Sequence, residues 1–321
     1  MPGGGIMGRY DPAMRPLLLA LARLPAATLM AGCSPDPAAE LRASIMPRLE
    51  MLAEELGTSR VHEVRVTPST AFIATAAGAA AVSGEDAESS TWRNDHWGAD
   101  GPDVEMEDLP FDDLFAAMAA PGDCAGPAGA TVEVSDTGAV LAEAGCAAEL
   151  WDEPDAPSQV LVVVGPSWID GVPTDPLEGA NRVDALAAVV DEGTRLFGPA
   201  LGTAAACESI PADGDKPAAI LIQASVPSGS GGSDSYTRTA GRLEGGLPRA
   251  PGGIAESSLA GTGEPFTTSR LDVRVHGDEL LAALENAPGR RCLSVFVRDS
   301  GEIAVRATAD DATIAEYPRA P

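Results

Sequence analysis

The chain repeats itself, and the repeat constrains the fold more than any other feature. Asp113-Leu114-Phe115-Ala116-Ala117-Met118 and Glu279-Leu280-Leu281-Ala282-Ala283-Leu284 each set an acidic residue ahead of a large–large–small–small–large series. That spacing gathers the large residues on one helical face. Pro121-Gly122 and Pro288-Gly289 stop the two helices, and Cys124 and Cys292 follow closely. A hairpin comes next in both places. Thr131 to Val140 matches Ser294 to Ile303, with Asp136-Thr137-Gly138 and Asp299-Ser300-Gly301 as glycine-closed turns between apolar runs. Trp151 ahead of Pro154 and Tyr317 ahead of Pro318 close the two series alike.

The front halves share an order. Leu41, Ile45, Leu49, Leu52 and Leu56 form one apolar stripe, in a helix that Pro47 is expected to split or kink. Val183, Leu186, Val190 and Phe197 form the second stripe, stopped by Gly198-Pro199. Strands are predicted over Val61–Thr67, Ala71–Ala76 and Ser89–Arg93, with counterparts over Ala218–Val226 and Tyr236–Ala240. The expected fold is α+β: two tandem related units, each with antiparallel strands packed against one or two helices. The units are drawn as 36–157 and 158–321. The apolar run Val160–Val164 is read as a buried strand opening the second, and a Gly/Ser-rich loop is expected near 227–265.

The N-terminal region has a different character. Arg9, Arg15 and Arg23 flank or interrupt an apolar segment, Leu17 to Met30, that ends in Ala31-Gly32-Cys33-Ser34. The segment is too short for the about 20 apolar residues that span a bilayer, but it suits the h-region of a signal peptide. Leu29-Met30-Ala31-Gly32-Cys33 resembles the lipobox of bacterial lipoproteins, with Met30 standing where that family most often has Leu. The resemblance implies cleavage after residue 32 and a lipid on Cys33. Residues 33–37 would then be a short tether, and the membrane would be a partner through that lipid. It implies a location on the outer face of the cytoplasmic membrane.

An oxidising compartment gives the remaining cysteines a use. Cys124, Cys146, Cys207 and Cys292 permit three pairings. Cys124 and Cys146 flank the first hairpin, while Cys207 follows the second opening helix and Cys292 opens the second hairpin. The expected bridges are therefore 124–146 and 207–292, each within one unit.

Charge and motif counts exclude several chemistries. The formal net charge is −27, so phosphate backbones would be repelled and nucleic acid is not an expected partner. Lys216 is the single lysine, and it sits in neither a Walker-type loop nor a Ser-x-x-Lys dyad. The acidic stretch Asp95 to Asp113 lacks the spacing of a calcium loop, and Asp112 is read as a helix cap. No metal or cofactor is expected. Of three histidines, His62 alternates onto a strand's apolar face, and His276 falls on a polar surface before a helix capped by Asp278. His96 stands in Trp92-Arg93-Asn94-Asp95-His96-Trp97. Trp92, Asp95, His96 and Trp97 form the candidate ligand site, with a hairpin turn through Asn94-Asp95 as the plainer reading. The expectation is a non-catalytic binding or envelope-accessory module. A carrier of an apolar ligand in a sheet–helix cavity and an anchored hydrolase centred on His96 are the alternatives.

Overall fold

The computed structural model describes residues 36–84, 89–92, 102–120, 127–150, 159–162, 166–174, 177, 180–208, 220–227, 233–240, 253–257, 265–268, 272–298 and 300–318. The first copy contains α1 (Pro37–Leu56), β1 (Arg60–Val61), β2 (Glu63–Val66), β3 (Thr70–Thr75), β4 (Gly78–Ser83), β5 (Ser90–Trp92), β6 (Val104–Glu105) and α2 (Phe111–Ala119). It continues through β7 (Ala128–Val134), β8 (Val140–Leu150), β9 (Gln159–Val162), β10 (Ser167–Ile169) and β11 (Val172–Pro173). The second contains α3 (Arg182–Phe197), β12 (Ala200–Leu201), β13 (Thr203–Glu208), β14 (Ile220–Pro227), β15 (Ser233–Ala240), β16 (Gly253–Ser257) and β17 (Phe266–Thr267). Then come α4 (Gly277–Glu285), β18 (Arg291–Val297), β19 (Ile303–Ala309) and β20 (Ala312–Tyr317).

The two copies share one topology, and the fold is α+β as expected. Among the described residues the first sheet runs β11-β10-β8-β7-β2-β3-β4-β5, with β9 also paired to β8. The second runs β16-β15-β14-β13-β18-β19-β20, which is the same succession read from the other end, without described counterparts of β11 and β9. Even the two-stranded accessories correspond, β1 with β6 and β12 with β17. The hairpin turns fix this register. Gly138 and Gly301 adopt φ of 86° and 79°, a left-handed conformation that suits glycine. Their amides donate to Ser135 O and Arg298 O at 2.8 and 2.7 Å. The strands then meet first at Val134↔Val140 and Val297↔Ile303.

Register also locates the equivalent residues. Val132 lies opposite Val64, and Val295 lies opposite Ala204. Trp168 pairs with Ala142 and Tyr317 with Val305, so Trp168 stands where Tyr317 stands in the second copy. Trp151, matched to Tyr317 in sequence, lies outside the described residues. The run around Val160 does not open the second sheet. As β9 it pairs with Ala147–Leu150 of β8 and widens the first. Within 227–265, β15 contains the strand expected at Tyr236–Ala240 and begins at Ser233, with Tyr236 buried in the core, and β16 pairs alongside it where a loop was expected. Pro47 does not split α1, which runs unbroken from the Asp36 cap to Gly57, with Ile45, Leu49 and Leu52 buried on the sheet.

Helix α3 departs most from its sequence pattern. Beyond the expected stripe, Ala185, Ala187, Ala188, Val189 and Leu196 are also buried. The second sheet covers one side of the helix, and Ala139, Leu141 and Ile169 of the first copy join the same core on the other. The first hairpin turn completes the helix end: Ser135 Oγ and Thr137 Oγ1 donate to Leu196 O at 2.7 and 2.6 Å. Arg195 donates to Ile169 O and Val172 O at 2.5 and 3.1 Å. On the sheet side, a Cβ on Gly193 would sit 2.6 Å from Ala224 Cβ, so glycine permits this approach. Gly193→Ala is expected to destabilise by ~1–3 kcal/mol through overpacking, although alanine favours helix. Urea unfolding measures it, and a stability gain would contradict the close packing.

Candidate functional site

The sites predicted from sequence divide by position. Trp92 ends β5, opposite Ala79. Asp95, His96 and Trp97 lie outside the described residues, as does Cys124, and only the backbone of Cys146 is described, opposite Ala128. Cys207 and Cys292 form the expected disulfide, facing each other across β13 and β18 with Cα atoms 4.0 Å apart. His62 is buried and its Nδ1 lies 3.2 Å from Asp103 Oδ1. His276 is half-buried against the Tyr317 ring, with centroids 4.9 Å apart, rather than lying on an open surface. Asp112 is not a cap: Pro110 holds that position, and Asp112 pairs with Arg42 from the first turn of α2. Asp278 likewise lies within the first turn of α4, behind His276.

One residue beyond the disulfide the chain becomes strongly charged. Strand alternation turns Glu208 away from Cys207 and into the helix side of the sheet, where it is 8% exposed. Its carboxylate gathers two guanidinium groups. Arg291 donates from Nε to Oε2 at 3.0 Å and from its backbone amide to the same oxygen at 3.2 Å, with Nη2 2.7 Å from Oε1. Arg182, in the first turn of α3, donates from Nη2 to Oε1, while its Nε is buried without a partner. Burial and the nearby Arg291 hold the Arg182 guanidinium below the usual arginine range. Arginine remains protonated there, so two cations share one carboxylate.

This Arg–Glu–Arg arrangement borders an open cleft of about 450 Å³. The other lining comes from one face of α4: Asp278, Leu281, Ala282 and Glu285, at i, i+3, i+4 and i+7. The first copy shows what the same fold does without it. Counting back from the glycine C-caps, Gly57 and Gly198, places Leu41 where Arg182 stands. The strand register places Ala128 where Arg291 stands. The first copy's β2 ends at Val66 and turns over Thr67–Thr70, so it has no strand residue to match Glu208. Leu41 and Ala128 pack on the first core. An apolar solution therefore exists, and the second copy has partly buried charge in its place.

A second polar cluster lies at the junction of the copies. Glu192 of α3, 3% exposed, accepts from Tyr236 Oη at 2.9 Å and from Arg238. Burial pushes Glu192 up, against Arg238 and the Tyr236 hydroxyl, and pushes Tyr236 well above its usual range. Glu143 extends from β8 of the first sheet into the field of both. Burial pushes its carboxyl up to about 7, with Arg238 opposing and Glu192 adding. A smaller, mainly apolar pocket of about 230 Å³ lies beside β20, lined by Val273, Val275, Leu280, Ile303, Val305 and Tyr317 among others. Among the described residues, no group of three or more His, Cys, Asp or Glu is placed to hold a metal ion. The charged site is built from Arg182, Glu208 and Arg291, which motif reading missed. Their one signal is adjacency: Glu208 follows Cys207 and Arg291 precedes Cys292. No family model, curated protein sequence or solved structure matches this chain.

Two outcomes are expected. Glu208→Ala leaves two arginines without their counter-charge and costs about 3–5 kcal/mol in urea unfolding. Removing all three charges together (Arg182→Leu, Glu208→Ala, Arg291→Ala) recovers most of that loss; an equally unstable triple variant would mean that the charges hold the fold. The junction carries a pH signature. A carboxyl whose folded pKa is raised keeps its proton after the unfolded chain has released it. Its contribution is present below the ordinary value of 4.5 and is lost as pH rises towards 7. Glu143→Gln should flatten the fall in stability across that window, and an unchanged slope would remove Glu143 from the account.

Proposed function

We propose that this protein is an extracytoplasmic lipoprotein, held to the membrane by a lipid on Cys33, that acts as a non-catalytic binding module. The seat of binding is the cleft of the second copy. One observation carries the reading: the positions that are Leu41 and Ala128 in one copy are Arg182 and Arg291 in the other, paired to Glu208 beside an open cleft. Desolvating ions is costly, and buried ionic groups often add no stability over apolar residues of similar size. Binding gives the charges a use that folding does not.

The compartment reading rests on the Leu29-Met30-Ala31-Gly32-Cys33 segment, which lies outside the described residues. The Cys207–Cys292 disulfide accords with it, since such bonds persist in oxidising compartments. No helix among the described residues is long and apolar enough to cross a membrane. An apolar-ligand carrier would draw on the pocket beside β20, but its volume of about 230 Å³ falls short of the roughly 300 Å³ at which ligand pockets begin.

Two experiments address the two parts separately. Cys33→Ala should move the protein from the membrane fraction to the soluble extracytoplasmic fraction, and unchanged retention would end the lipid-anchor reading. A chemically mixed small-molecule library, scanned by thermal shift, should give ligands of the wild type that the charge-free triple variant loses. Ligands retained by the variant would place binding elsewhere.

A further inference from the structure

The charges around the cleft are divided by sign, and the division names a class of ligand. On the strand side, Arg182 and Arg291 bring two positive charges to the one buried carboxylate of Glu208, leaving a surplus cation on partly buried side chains. Arg291 also donates from Nη1 to Leu284 O of α4 at 3.4 Å, while the buried Arg182 Nε has no partner within the protein. On the α4 side, Asp278 and Glu285 are exposed, seven residues apart on one face, or about 10 Å at the helical rise. Between them lie Leu281 and Ala282, which give that face an apolar middle.

We propose that the cleft takes a small zwitterion whose carboxylate and ammonium groups are joined by a short apolar stem. The proposal rests on the reading of this cleft as the binding seat. The carboxylate meets Arg182 and Arg291 and neutralises the surplus charge beside Glu208. The ammonium meets Asp278 or Glu285, and the stem lies over Leu281 and Ala282. A lone anion gains the arginines but faces the α4 carboxylates. A lone cation gains those carboxylates but faces two guanidinium groups. Only a molecule carrying both signs avoids repulsion at each end, which is how unfavourable pairing yields selectivity. The whole-chain charge of −27 favours the approach of the ammonium end first, because long-range fields steer encounter.

Calorimetric titration of the full chain at low salt tests this with three probes of equal stem: 6-aminohexanoate, hexanoate and hexylamine. The expected result is that 6-aminohexanoate binds about tenfold or more tightly than either single-charge probe. Glycine and 8-aminooctanoate, at the two ends of the length series, bracket the preferred spacing. Asp278→Asn and Glu285→Gln change exposed side chains and leave the Arg–Glu–Arg arrangement intact, so folding is not at issue. The pair of substitutions together should remove the advantage of the zwitterion over hexanoate. Equal affinity for the three probes, no binding by 6-aminohexanoate, or an advantage untouched by the α4 substitutions would each overturn the proposal. If hexanoate or hexylamine binds best and Arg291→Ala abolishes that binding, the cleft stands as the seat while the zwitterion falls. If 6-aminohexanoate binds equally well to the charge-free triple variant, both fail.

Discussion

The burial of helix α3 on both sides is the constraint on which the rest depends. The helix is the floor of its own sheet through Leu186, Val190 and Gly193, and the lid over part of the other through Ala139, Leu141 and Ile169. Its last turn is closed by hydroxyls of the first copy's hairpin, and its first turn supplies Arg182 to the cleft. A helix held in this way has little freedom to shift, because close-packed interiors transmit displacement rather than absorb it. The position of Arg182 is therefore set by contacts at the far end of the same helix.

The junction also explains why the tandem is asymmetric. The first copy presents Ala139, Leu141 and Glu143 to α3. At the equivalent positions the second copy has Glu302, Ala304 and Arg306. Arg306 lies over the Phe296 ring at 3.8 Å, and Arg298 pairs with Glu302 and Glu316. These pairings give the second copy a face of different chemistry from the one the first copy presents to α3. The copies thus differ in two places: at this face, and at the helix–sheet corner where Arg182 and Arg291 line the cleft.

Much of the fold was legible because it rests on short-range signals. Acid-large-large-small-small-large announced α2 and α4, and Asp-x-Gly announced both hairpins, down to the glycines at positive φ. The 207–292 bridge followed from where the predicted helices and hairpins fell. What escaped depends on neighbours. Ala185, Ala187 and Ala188 carry no clear periodicity, so the second buried side of α3 becomes visible only when the first sheet covers it. The strand at Tyr236–Ala240 was legible, but β16 was not, because Gly253-Ile254-Ala255 lies in a Gly/Pro-rich stretch and becomes a strand only by pairing with β15. The cleft was hardest to see, because Arg182, Glu208 and Arg291 are 26 and 83 residues apart and match no motif. The sequence candidate around His96 drew attention through its residue types, whereas the charged site arises from register.

The central claim is that the second copy's charged corner is a binding seat rather than a structural ion cluster. Side-chain NMR of the arginine Nε–H groups reads it most directly, since it reports on Arg182 and Arg291 individually in the intact chain. Titration with 6-aminohexanoate should shift both resonances together, while Arg238 and Arg298, which belong to other clusters, stay fixed. Unmoved Arg182 and Arg291 signals at saturating ligand, or shifts confined to Arg238 and Arg298, would contradict the account.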